Sequence, residues 1–266
     1  MIVLSHGDVP CDATQLAAAL RRALADALVL PPRDVVTIEP GAWPGVERLA
    51  VDLTGARIDR SRSLPQPGRI AGPPIALQVG RLLVTARPIE VDTARVTVAL
   101  DATGVTADLG RDAVGNAVLL PRSAADGRFL LELPHADLER LVLLGVRELA
   151  ERHKIGIQQT ELRLTSLGPR SVRMDLSVVA KKMLIKGRIA ITGRLDVDDR
   201  LVARLSELDA TGENTVGSMV VGLIRPHLQK LNGRQIPLAS ALGELKIRDV
   251  QLDVADPLRI TASFGQ

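Results

Sequence analysis

Ser171-Val-Arg-Met-Asp-Leu-Ser-Val-Val-Ala180, followed shortly by Ile185-Lys-Gly-Arg-Ile-Ala-Ile-Thr-Gly-Arg-Leu195, is the stretch that decides the fold class. Val172, Met174, Leu176 and Val178 alternate with Arg173, Asp175 and Ser177; Ile185, Ile189, Ile191 and Leu195 alternate with Lys186, Arg188, Thr192 and Arg194. A period of two means strands with one dry face and one wet face. Hairpin turns are expected at Ser166-Leu-Gly-Pro, at Lys181-Lys182 and at Asp196-Val-Asp-Asp, giving an antiparallel meander over about 157–165, 171–180, 183–195 and 200–210.

Working outward, the same alternation marks strands at about 35–39, 46–53, 75–86, 93–101, 103–109 and 128–133, and two closing strands at about 244–254 and 257–264. The apolar phase slips near Gly80-Arg81 and again between Ile247 and Val250, as a β-bulge would make it. Three helices interrupt the strands. The first, from about Asp12 to Leu30, opens on Asp12 with Gln15 as a capping box and stops at Pro31-Pro32. The second runs from about His135 to Arg152, with Leu138, Leu141, Val142, Gly145 and Leu149 as its stripe. Leu143, Leu144 and Val146 widen that apolar surface past half the circumference. The third spans about Val216 to Leu231, with Met219, Val220, Leu223, Leu228 and Leu231 facing one way and Pro226 inside it. Strands in hairpin-linked runs exclude a doubly wound α/β fold. The expected class is α+β, with long helices packed along a strongly curved antiparallel sheet. Residues 1–11 read as an N-terminal tail, 12–266 as a single elongated domain, and about 54–74 as a mobile loop.

Composition narrows the function. In 266 residues, 46% are hydrophobic and 24% charged, an ordinary globular balance. One cysteine, Cys11, excludes a disulfide scaffold and a cysteine-ligated zinc. One Trp, two Phe and no Tyr leave almost no base-stacking platform, so nucleic acid is not an expected partner. Residues 170–188 carry six basic side chains and one acidic, a local field suited to phosphate groups. His6, His135, His153 and His227 are scattered, and no nucleophile elbow, Walker loop or dinucleotide fingerprint is present. Asp196, Asp198 and Asp199 read as turn chemistry rather than a cation site. No enzyme activity, cofactor or metal is expected.

The order of elements after the third helix is specific. It runs Leu231-Asn-Gly-Arg-Gln-Ile-Pro-Leu238, then Gly243-Glu-Leu-Lys-Ile-Arg-Asp-Val-Gln-Leu-Asp-Val254, then Pro257-Leu-Arg-Ile-Thr-Ala-Ser-Phe-Gly265. With Gly45-Val-Glu-Arg-Leu-Ala-Val-Asp-Leu-Thr-Gly-Ala56 and Phe129-Leu-Leu-Glu-Leu-Pro-His-Ala-Asp-Leu138 upstream, it resembles the LmeA-like family of bacterial phospholipid-binding proteins. The resemblance implies a fold akin to the tubular lipid-binding (TULIP) superfamily, with acyl chains held between helices and sheet, and it carries over no catalytic residue.

The residues agree with that implication. A lipid groove needs wide aliphatic faces and a basic mouth. Leu138, Leu141, Val142, Gly145 and Leu149, with Met219, Val220, Leu223 and Leu228, are the candidate lining, though each is equally a core-packing residue. Lys181, Lys182, Met183, Leu184, Lys186 and Arg188 alternate cations with apolar residues at a hairpin, as a membrane or head-group contact would. The expected function is non-enzymatic phospholipid binding or transfer at a membrane surface. The alternative is an assembly module that binds a protein or self-associates through its sheet as a homo-oligomer. The first residues lack the basic-then-apolar run of a secretory signal. The chain as written is therefore expected in the cytoplasm or peripheral to a membrane; a truncated N-terminus would admit the periplasm or cell envelope.

Overall fold

The computed structural model describes residues 2–5, 8–58, 69–151, 155–182, 185–198, 202–237 and 246–266. The protein is mixed α+β, mostly antiparallel sheet, with three helices among the described residues. The chain divides into two compact units: Met1–Glu132 with Ala239–Asp249 and Ile260–Gln266, and Leu133–Leu238 with Val250–Arg259.

In the first unit the chain runs through β1 (Ile2–Ser5), α1 (Ala13–Ala27), β2 (Leu28–Val29), β3 (Val36–Pro40) and β4 (Gly45–Asp52). It continues through β5 (Arg57–Ile58), β6 (Ile75–Val91), β7 (Ala94–Arg111), β8 (Ala117–Ser123) and β9 (Asp126–Leu133). A closing hairpin, β15 (Ile247–Asp253) and β16 (Leu258–Gly265), joins the same sheet, in the order β15-β16-β9-β7-β6-β4-β3. The pairings are antiparallel apart from β6, which runs parallel to β4 and β5. Helix α1 lays Leu16, Ala17, Ala19 and Leu20 into a core with Val36, Leu49, Leu77, Val79 and Leu109.

Several expectations are corrected. Helix α1 stops at Ala27, not Leu30, because Leu28 and Val29 pair as a strand with Arg57 and Ile58. Leu30 precedes a proline, which disfavours helical backbone there. The loop expected at 54–74 therefore contains a strand; 59–68 of it lie outside the described residues. Ile2–Ser5, read as tail, pairs with β8, a strand the sequence reading passed over. The two strands expected at 93–109 are one, β7.

The phase slip at Gly80-Arg81 is present without any shift of register. Glu47-Arg48 on β4, Gly80-Arg81 on β6 and Thr103-Gly104 on β7 are consecutive exposed pairs at one level of the sheet. Val46, Val79 and Val105 pair on one side of this level, and Leu49, Leu82 and Ala102 on the other. All three strands change phase together, so the ladder continues while the sheet creases. A Cβ on Gly80 would lie 2.6 Å from the Glu47 carbonyl oxygen, which is why this position holds glycine.

The second unit comprises α2 (His135–Glu151), β10 (Gly156–Gly168), β11 (Ser171–Lys182), β12 (Ile185–Val197), β13 (Val202–Gly212), α3 (Thr215–Leu231) and β14 (Gln235–Pro237). Its strands form one antiparallel sheet in chain order. The expected turn at Lys181-Lys182 lies further on. Both lysines belong to β11, and Lys182 pairs with Ile185; Met183 and Leu184 lie outside the described residues.

The expected cap of α1 is present: the Gln15 N–H donates to Asp12 Oδ1 at 2.8 Å. Asp12→Ala should cost about 1 kcal/mol, read as a lowered unfolding midpoint in urea. A second clamp joins the segment after α1 to β4. Arg33 Nη1 donates to Asp52 Oδ2 at 2.6 Å, Arg33 Nη2 to the Thr54 carbonyl at 2.8 Å, and the Thr54 N–H to Asp52 Oδ1 at 3.0 Å. The Arg33 hydrogen bond, outweighing partial burial, lowers the Asp52 carboxyl from 3.8 to about 2. Its contribution is thus complete above the unfolded value and disappears as pH falls from about 4 through 2. Both side chains are more than 40% exposed, so screening limits this to about 0.5 kcal/mol. Asp52→Asn should narrow its stability gap to wild type by that amount on acidification, measured by thermal melts across this range.

Candidate functional site

The candidate surface is the inner face of the second unit's sheet. Strand register builds it in rungs. Leu162, Leu176, Ile191 and Ala210 are successive partners across β10 to β13, and Thr160, Val178, Ile189 and Gly212 form the next rung. On the other side come Leu164, Met174 and Gly193, with Leu208 lying over Gly193. Helix α3 runs from the Gly212 end of β13 to Leu208 and Leu205, where its C-terminal turn is bonded: the Leu208 N–H donates to Asn232 Oδ1 at 3.4 Å and the Gly233 N–H to the Leu205 carbonyl at 2.7 Å. Val220 and Val221 seal Val178 and Ile189, each 1% exposed, together with Ala180 and Ala210. On the same face Leu162, Leu164, Met174, Leu176, Ile191 and Leu208 are half-buried, Leu176 and Ile191 packed against that cluster.

What fixes α3 there is a close approach of backbones. A Cβ on Gly212 would sit 2.3 Å from the Gly217 carbonyl carbon, and one on Gly187 would sit 2.6 Å from the Gly217 nitrogen. Asn214 completes the joint: its Oδ1 accepts from the Gly217 N–H at 3.0 Å and its Nδ2 donates to the Lys186 carbonyl at 2.7 Å.

This contact corrects the expected stripe. The buried line of α3 is Val216, Gly217, Val220 and Val221, because Gly217 must face the sheet. Met219, expected on the lining, is 36% exposed, while Val220 is 6% exposed. Leu223 and Leu228 are half-buried against the same core. On α2, Leu138 and the four consecutive residues Leu141, Val142, Leu143 and Leu144 are all half-buried, as an apolar surface wider than half the helix requires. Gly145 and Leu149 lie on α2, with side chains outside the described set.

The sequence reading passed over two polar residues of α2. Asp137 is fully buried and paired with Arg140 at 2.5 Å; a carboxylate in the first turn of a helix is favoured there. Glu139 accepts from the Leu162 N–H at 3.1 Å, so α2 occupies a donor on the open edge of β10. Its only sequence signal was an acid within an apolar helix facing the strand that follows.

Of the expected head-group residues, the structure brings Lys181, Lys186 and Arg188 together on the outer face, Lys181 directly opposite Lys186. Lys182 is on β11 with its side chain outside the described set, and Met183 and Leu184 lie outside the described residues. Two depressions are outlined elsewhere. One, of about 450 Å³, lies at the crease of the first unit beside Glu47, Gln78, Gly80 and Gly104. The other, of about 310 Å³, lies on the outer face of the second sheet beside Arg163, Asp175, Ser177 and Arg188. No helix residue borders either depression.

No family model matches the chain, and comparison with curated proteins and with solved structures likewise finds no similar protein. The geometry therefore stands alone. Among the described residues no three His, Cys, Asp or Glu side chains could hold a metal ion. Asp196 is engaged by Arg194 at 2.9 Å and by the Ser171 hydroxyl at 2.6 Å, and Asp198 accepts from the Val202 N–H at 2.9 Å. No described helix is long and apolar enough to cross a membrane.

Gly212→Ala should push α3 off the sheet and cost about 1–3 kcal/mol. Gly168→Ala, whose Cβ meets nothing within 4 Å, should be close to neutral. Chemical denaturation of the two variants side by side separates the outcomes.

Proposed function

We propose that this protein binds an acyl-chain lipid, a phospholipid in the first instance, and carries it without altering it. The reading extends to a TULIP-like arrangement in which hydrocarbon lies between helices and an apolar sheet face. One observation supports it above the others: six large aliphatic side chains, Leu162, Leu164, Met174, Leu176, Ile191 and Leu208, are only half-buried on one face of the sheet. Completing their burial against hydrocarbon is worth roughly 3 kcal/mol in total, before the helix residues Leu223, Ile224 and Leu228 are added. The patch holds no charged side chain, so an acyl chain meets no desolvation cost there. Self-association through the sheet is less well supported, since Glu139 already takes the Leu162 N–H on the edge strand β10.

The test is direct. Organic extraction of the purified protein, followed by mass spectrometry, should recover an acyl lipid, and a fluorescent fatty-acid analogue should bind and be displaced by phospholipid. Leu164→Gln with Met174→Gln, at half-buried positions, should leave the fold intact and weaken probe binding at least several-fold. A folded wild-type protein that neither carries lipid nor binds the probe overturns the proposal.

A further inference from the structure

The outer face of the second unit's sheet is charge-balanced at one end and unbalanced at the other. At the balanced end Arg163 pairs with Glu161 at 3.4 Å, Arg173 with Asp175 at 3.3 Å, and Arg194 with Asp196 at 2.9 Å and Glu207 at 3.5 Å. At the other end Lys181 and Lys186 are direct cross-strand partners, and Arg188 stands on the same face two residues along β12. Like charges placed opposite each other destabilise a sheet. No described carboxylate forms an ion pair with any of the three. Glu213 lies beside Arg188, its backbone N–H donating to the Arg188 carbonyl at 3.0 Å. Arg188 also borders the outer-face depression with Glu161 and Asp175, but those acids are paired with Arg163 and Arg173, so this end keeps an excess of positive charge among the described residues. Helix α3 adds to the same end, because its N-terminal cap Asn214 is bonded to the Lys186 carbonyl and the helix begins there; a helix N-terminus is electropositive.

From this we infer that the Lys181–Lys186–Arg188 end of the second unit is the surface by which the protein docks on an anionic lipid bilayer. The inference rests on the lipid-binding reading and says how the carrier meets the membrane that supplies its ligand. Charge complementarity selects the occupant. Lys186 and Arg188 are exposed and, among the described residues, no buried polar side chain completes a cradle, so a single phosphate in water gains little. A bilayer presents many phosphates at once, and each basic residue near it strengthens binding by roughly fivefold, so three give roughly a hundredfold. Nucleic acid would need aromatic platforms or a longer basic stripe, and this face has neither.

Co-sedimentation should be measured with vesicles of phosphatidylcholine alone and of phosphatidylcholine mixed equally with phosphatidylglycerol. Wild type should prefer the anionic vesicles, and the preference should fade as salt shortens the screening length from ~10 Å to ~3 Å. The K181S/K186S/R188S variant should lose roughly a hundredfold in affinity, while R163S/R173S/R204S, with the same change in net charge, should lose far less. Should the triple variant fail to fold by circular dichroism, Lys186→Ser and Arg188→Ser singly, at exposed positions, should each lose severalfold. Fatty-acid probe binding in solution should be unchanged in these variants. Its loss in wild type would sink the carrier reading and leave the docking result to stand by itself. Equal binding to both vesicle types, equal losses in the two triple variants, or tighter binding to a short DNA duplex than to anionic vesicles would overturn the docking assignment.

Discussion

An antiparallel sheet with one apolar face must be covered, and in the second unit the seating of the cover is set by one backbone contact. Gly217 on α3 meets Gly187 and Gly212 at distances no side chain permits. That contact pins the N-terminal end of the helix to one end of the sheet, and the buried residues Val220 and Val221 follow from it. The exposed Met219 and the position of the basic end beside the helix start follow from this anchor.

The structure divides its polar and apolar faces with little ambiguity. On the inner face, Val178 and Ile189 are sealed under α3, Val172 and Val197 are buried further along, and half-buried aliphatic side chains lie between them. On the outer face, alternating charges neutralise one another except where Lys181 meets Lys186. These two departures from a fully satisfied sheet lie on opposite faces of the same strands. A carrier has a physical reason for both: hydrocarbon needs a dry wall, and a membrane needs a charged landing.

Much of this was legible in the sequence where a residue's own periodicity decides its environment. The alternation through β11 and β12 gave the strands and their faces, and Asp12 with Gln15 marked the start of α1. What depended on a distant partner was not legible. The end of α1 was misplaced because Leu28 and Val29 are recruited by Arg57 and Ile58, a pairing no local pattern announces. The stripe on α3 was rotated towards Met219 because hydrophobicity alone ranks methionine above Gly217, whereas the packing is governed by the absence of a side chain. The slip at Gly80 was seen in one strand, but only the register shows Glu47-Arg48 and Thr103-Gly104 slipping at the same level.

That shared slip constrains how this protein's length can vary. Since Glu47, Gly80 and Gly104 each contribute an extra residue to the same rung, removing one alone would turn the remainder of its strand inside out relative to its neighbours. At this level, then, a one-residue deletion keeps the faces of the sheet in step only if all three strands lose a residue together.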